Sequence, residues 1–359
     1  MSDVSFPDIP LEFGIFDWIE WGDAPLNEVF ENKLEIIEFA DQAGFYCYHV
    51  AEHAGTPLSI NGSPSVFLAS AAQRTSRIRL SPLTYCLPWH NPIRLYNEIC
   101  MLDQLSKGRL ELGVSRGVSP LEAKIYGVQN VEESRALSQE VLDILLAAFN
   151  STVLNFEGNH YTYENVELWN RPYQQPYPPL WFPSSNAETV PFIAKHGFHT
   201  SHNFAPNEVA KPHFDRYKQE WSLHTNDPGR MNTHVAAPML TNSRHIYVAP
   251  TDKEALEEVR EPFGAWREHI THLGRRVSTA DNSVGNDEMT KRIDQGTLIV
   301  GSPETVAKKV NQMIEETGIN YFLGVFSYGN MAKDKAIRSM DLFAREVIPA
   351  VKETQATSR

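Results

Sequence analysis

A chain of 359 residues that is 42% hydrophobic has enough apolar material for a full core, and its length suits one large α/β domain. Its 32 basic against 45 acidic residues leave a formal net charge of −13, which argues against nucleic acid or an anionic membrane as a main partner. The three cysteines, Cys47, Cys86 and Cys100, are odd in number without metal-like spacing, and the longest apolar stretch, Val141 to Phe149, is far shorter than a bilayer span, so we expect a cytoplasmic protein with no metal site.

Leu11 to Phe16 is a strand candidate, followed by an acidic, tryptophan-containing loop. From Glu28 to Ala43, the residues Val29, Phe30, Leu34, Ile36, Ile37 and Ala40 recur at helical spacing, and Gly44 supplies a stop. A strand from Phe45 to about Ala51 completes a βαβ start. The pattern repeats with a helix near 64–75, a strand at 78–84, a helix near 93–106 and a strand at 109–114. The stretch LDQLSKGRLELGVSRG, residues 102–117, spans the last two of these. It places Arg116 at the mouth of an apolar strand, with Gly113 and Gly117 able to admit another molecule to the backbone, as an anion cradle would.

A helix opens at Ser134 as N-cap, with Leu137, Val141, Ile144, Leu145 and Ala148 on one face. Residues 153–173 are aromatic and β-prone around the turn Glu157-Gly158-Asn159, and read as an inserted hairpin. The alternation resumes with a strand at 180–184, a helix at 187–196, a strand at 198–202, a helix near 207–223, a strand from Arg244 to Ala249 and a helix from Thr251 to about His272. Residues 274–296 are polar and aperiodic and read as a long mobile loop. Ser302-Pro303 opens a helix that Gly318 ends, and Asn320 to Phe326 is the last strand.

Eight strands alternating with helices fit a parallel sheet, either an open doubly wound one or a closed (β/α)8 TIM barrel. The number of units and the lack of a dinucleotide glycine fingerprint after the first strand favour the barrel. In a barrel the site lies where the strands end. The strand exits carry Asp17 and Trp18, then Glu52 and His53, then Thr84, Trp89 and His90, then Ser115 and Arg116, then Ser185, Asn186 and Thr189, and last Tyr328. Ser185, Asn186 and Thr189 lie at a helix start, where unpaired N–H groups favour a phosphate, and Arg135 could reach the same anion. The plainer alternatives are a simple helix cap, a solvated arginine and, for His53, a structural imidazole held by Glu52. His49 and His53 are four apart, but across a strand and its exit, so they share no helical face for a metal.

AEHAG (51–55), LPWHNPIR (87–94), LDQLSKGRLELGVSRG (102–117), SRAL (134–137) and the serine-rich exit before AKHG (194–197) resemble, in order and spacing, the bacterial luciferase-like flavin monooxygenases. The resemblance implies a (β/α)8 barrel that takes reduced FMN from a separate flavin reductase, forms a flavin hydroperoxide with O2 and oxygenates a small organic substrate such as an aldehyde, ketone or aromatic. It implies catalytic roles for His53 and Glu52, a flavin site of Thr84, Ser115, Arg116, Arg135, Ser185, Asn186 and Thr189, and a substrate side of Trp18, Trp89, His90 and Tyr328. It also implies a homodimer through the helices near 64–75 and 93–106, and an uncommon cis peptide at Leu83-Thr84. Ala54 replaces the second histidine of the family's Glu-His-His motif and Ser115 replaces the luciferase cysteine, which weighs against light emission. A deazaflavin-dependent oxidoreductase of the same fold and a non-catalytic supporting subunit are the alternative functions.

Overall fold

The computed structural model describes residues 6–277 and 287–357. Its strands in chain order are β1 (Glu12–Asp17), β2 (Cys47–Val50), β3 (Arg79–Pro82), the short β4 (Tyr85–Cys86), β5 (Leu112–Ser115), β6 (Val153–Glu157), β7 (Thr162–Glu167), β8 (Leu180–Trp181), β9 (Thr200–Ser201), β10 (Leu240–Thr241), β11 (Arg244–Val248), β12 (Leu298–Gly301) and β13 (Tyr321–Val325). Apart from the antiparallel hairpin of β6 and β7, all pairings between strands are parallel, and helices fill the connections, so the chain is α/β.

Six strands form one sheet in the order β12-β11-β13-β1-β2-β3. Beyond β3, Leu80 bridges to Leu110 just before β5, Leu112 of β5 faces Leu180 of β8, and Trp181 bridges to His199 just before β9. β9 pairs with β10, and Asn320 at the start of β13 donates to the Leu240 carbonyl at 3.3 Å. The helices are bounded by local chemistry. Gly44 ends Leu26–Ala43 at φ 85, Ser302 caps Pro303–Thr317 by accepting from the Thr305 N–H, and Gly318 closes that helix at φ 65.

Several expectations need correction. The helix expected from Ser134 starts at Val131, because Asn130 is the cap and accepts from the Glu133 N–H. The expected strand 180–184 is only Leu180–Trp181, and the expected helix 187–196 is a 3-10 turn, Ala187–Thr189, followed by Val190–Lys195. The stretch 274–296 is not one loop. A helix runs from Asp252 to Val277 and another from Asp287 to Asp294, while residues 278–286 lie outside the described residues. β12 and β10 were not anticipated.

Where the strands begin, their inward side chains form a polar knot. Glu111, 1% exposed, accepts from Arg79 Nε at 2.5 Å and Tyr46 OH at 3.0 Å on one oxygen, and from Trp181 Nε1 at 2.7 Å on the other. Burial works to raise the carboxyl pKa, but the Arg79 charge and these donors overcome it, so it lies below the ordinary value and the group stays ionised. Above it, His49 Nε2 meets Tyr321 OH at 2.9 Å. Burial lowers His49 to about 3 and the nearby His199 to about 4, so both are neutral near pH 7.

Candidate active site

The strand exits gather around the junction of β3 and β5. Leu83-Thr84 is a cis peptide, as the resemblance implied. A Cβ on Gly113 would stand 2.2 Å from the Pro82 carbonyl oxygen and 3.2 Å from the Leu83 Cα, so only glycine lets the two backbones meet. That contact sets Thr84 Oγ1 2.5 Å from Ser115 Oγ, which also accepts from the Gly117 N–H at 3.1 Å. Gly117 takes φ +78, and a Cβ there would meet Trp89 at 3.1 Å and Cys86 Sγ at 3.3 Å. The idea that Gly113 opens the backbone to a ligand is therefore corrected, since the Pro82 carbonyl fills that space, whereas Gly117 lines the groove beside Arg116.

Glu52 and His53 part company. Consecutive residues of an extended exit point opposite ways. The Glu52 carboxylate is buried, accepts from the Cys86 N–H at 2.7 Å and meets His90 Nε2 at 3.0 Å. His53 is not held by Glu52. Its Nδ1 lies 2.9 Å from Glu122 Oε1, which also accepts from the Ala54 N–H at 2.9 Å. Glu122 is 1% exposed on the short helix Pro120–Ile125, capped by Ser119. Trp89 stacks on Tyr126 beyond that helix, with ring centres 4.9 Å apart, and its buried Nε1 has no partner.

Trp18 and Tyr328 meet in a second group. Trp18 stacks on Phe204 at 5.5 Å and faces His245 at 5.9 Å, and Tyr328 lies edge-on to the same His245 at 4.9 Å. His245, Phe204 and Trp266 were not anticipated. Asp17, in contrast, is committed inside the fold, where Lys33 Nζ at 2.6 Å, from the helix Leu26–Ala43, and Tyr48 OH at 2.8 Å, from β2, hold its carboxylate, and Lys33 also reaches Ser327 Oγ at 3.0 Å.

The candidate phosphate residues divide. Arg116 lines a groove with Gly117, Ser119, Asn130 and Ser134, and among the described residues neither it nor the exposed Arg135 forms an ion pair. Ser185 and Asn186 are exposed and Thr189 half-buried, but Asn186 Oδ1 already accepts from the Glu188 N–H and the Asn186 carbonyl from the Thr189 N–H. Part of the expected helix start is thus used internally.

The family model described as luciferase-like monooxygenase matches residues 11–321. Limonene 1,2-monooxygenase of Rhodococcus erythropolis is 25% identical over 345 residues, covering 94% of this chain and 86% of the relative. The 2,5-diketocamphane 1,2-monooxygenase 2 of Pseudomonas putida is 23% identical, over 91% of this chain and 95% of its own. Among solved structures, the oxygenating constituent of 3,6-diketocamphane monooxygenase from Pseudomonas putida, in complex with FMN, superposes with a TM-score of 0.81 at 22% identity, covering 94% of this chain and 98% of that one. Among the described residues no helix is long and apolar enough to cross a membrane.

Proposed function

Because the chain belongs to the luciferase-like monooxygenase family, we propose that it is the oxygenase component of a two-component system, using reduced FMN from a separate flavin reductase and O2 to oxygenate a small organic substrate. The observation that carries this reading is the His53–Glu122 pair at the strand exits, a positioned imidazole beside an anion-friendly groove. Bound reduced flavin supplies the electrons that let one atom of O2 enter the substrate while the other leaves as water. The residues present fit such a group: Arg116 is an uncommitted cation in a groove bearing Ser119 and Ser134 hydroxyls, and Ser185 and Asn186 stand exposed at the adjacent exit.

Arg116, with Arg135 and the 185–189 turn, holds the phosphate, while Thr84 and Ser115 flank the ring. Glu122 fixes His53 through Nδ1, which leaves Nε2 to exchange a proton with what is bound. Glu52 orients His90, and Trp18, Trp89, His90 and Tyr328 wall the substrate side and exclude water. The bridges from Leu80 to Leu110 and from Trp181 to His199, with the Asn320–Leu240 bond, support strands that close into one (β/α)8 barrel domain carrying the 153–173 hairpin as an insertion. Exposed Val66, Met101 and Leu105 on the helices Pro64–Arg74 and Pro92–Ser106 support a homodimer through that face.

The test is to supply FMNH2 and 18O2 with a panel of aldehydes, ketones and aromatics. We expect 18O in one product class. Absence of FMNH2 binding would contradict the reading, and turnover with a reduced deazaflavin and no O2 would replace it with the hydride-transfer alternative.

A further inference from the structure

Where β1, β9 and β13 end, four polar atoms are buried with no partner: both ring nitrogens of His245, Nε1 of Trp266 and the hydroxyl of Tyr328. Buried polar groups are ordinarily satisfied, so four in one place call for a cause. They sit among aromatic rings. His245, fully buried, has the Trp266 ring at 4.2 Å, Phe204 at 4.9 Å and Tyr328 at 4.9 Å. Among the described residues no unpaired charge contacts these rings. Arg292 lies 5.2 Å from the Trp266 ring and is paired with Glu288 at 2.9 Å, and Arg267 pairs with the same carboxylate at 3.5 Å. Burial drives the His245 pKa well below its ordinary value, so the imidazole is neutral, with one N–H to give.

Phe204 is an independent sign. It holds φ 56, a left-handed conformation uncommon for an aromatic residue. Both neighbours are clamped. The Asn203 side chain accepts from the Ser201 hydroxyl and from Ser243 Oγ at 2.9 Å, while the Ala205 backbone exchanges two bonds with the Asn242 side chain, at 3.3 and 2.9 Å. The chain thus imposes the strained backbone, and the result is a ring laid on Trp18 and His245. Trp18 and Tyr328 share one apolar cluster with Leu83, so this cage is continuous with the β3 exit.

We infer that the cage of Trp18, Phe204, Trp266 and Tyr328 around His245 is the substrate seat, and that it takes a compact, uncharged, mainly apolar molecule with a single carbonyl acceptor, bonded by the imidazole N–H. The inference rests on the monooxygenase reading and gives it a substrate class. The rings touch one another, so the ligand enters by parting them. A charged substrate is disfavoured, because the cage offers no free counter-charge.

The test needs no flavin. Intrinsic tryptophan fluorescence of the full chain is titrated with cyclohexanone and with methylenecyclohexane, a near-isostere without the oxygen. His245→Phe keeps a ring and removes both nitrogens. It should loosen the ketone about tenfold and leave the hydrocarbon within about twofold. Tyr328→Phe, which deletes one hydroxyl, should act in the same direction more weakly and serves if H245F does not fold. Equal effects on both ligands, no effect on either, or no ketone binding by the unaltered chain would overturn the inference. Loss of FMNH2- and O2-dependent turnover with the ketone discrimination intact would instead count against the monooxygenase reading alone.

Discussion

The two ends of the strand assembly use similar side chains to opposite effect. Where the strands begin, both oxygens of Glu111 are taken by Arg79, Tyr46 and Trp181, and Arg109 gives its guanidinium to backbone carbonyls including Ala72 and Ile78. At the other end, Arg116 lacks an ion-pair partner among the described residues, and the nitrogens of Trp89 and of His245, which lies near the start of β11 level with the last residue of β13, lack hydrogen-bond partners. A polar knot whose charges are paired specifies and holds a fold, whereas a cluster of unpaired buried groups points to a ligand. The difference therefore separates residues whose loss unfolds the chain from residues whose loss silences it.

The largest effect expected at the first end is that of Glu111→Ala. It removes the carboxylate partner of the half-buried Arg79 and leaves the Tyr46 hydroxyl and the buried Trp181 Nε1 without their acceptor, and should lower the unfolding free energy by about 2–4 kcal/mol in denaturant titrations. A loss below about 1 kcal/mol would erase the contrast. At the second end Arg116→Gln should weaken FMNH2 binding by roughly 10- to 100-fold, the worth of a charge-assisted contact, with little change in Tm. A large fall in Tm would move Arg116 to the structural side.

Gly113→Ala falls between the two ends. Its Cβ would press 2.2 Å from the Pro82 carbonyl, and overpacking of this kind costs about 1–3 kcal/mol. Because the same contact sets the Thr84–Ser115 pair, flavin binding should weaken together with stability. Stability lost with flavin binding intact would detach the β3 exit from the site.

Acid sharpens the comparison further. In the unfolded chain histidines titrate near 6.5, whereas burial holds His49 near 3 and His199 near 4 in the fold. Between those values the unfolded chain binds protons that the folded one refuses, so stability is full above pH 6.5 and falls as pH drops toward 4. Glu111, with its lowered carboxyl pKa, adds a further loss below its ordinary 4.5. A Tm that is flat or rising from pH 7 to 5 would contradict this.

Much of this arrangement is legible in sequence. The amphipathic run before Gly44, the Ser302-Pro303 start and the hairpin turn near Gly158 all announce elements that form. What escapes depends on partners distant in the chain. β12, three buried apolar residues and a glycine after a polar stretch, has no alternation to reveal it. Glu122 lies in a six-residue helix too short to show a period, and the sequence offers only the adjacent Glu52 as a holder for a structural His53. His245 sits in an ordinary strand sequence, and only its pairing with Val325 turns it into the cage. Asp17 follows the same rule in reverse, since Lys33, linked to it by no sequence motif, occupies its carboxylate.

The most direct test of the division is His53→Ala, assayed for FMNH2 affinity, for Tm and for 18O incorporation from 18O2. With His53 a proton-handling group at the finishing end, affinity and Tm should stay nearly unchanged while oxygenation falls by about 10²–10⁴. Unchanged oxygenation, or a Tm that collapses with it, would contradict the account.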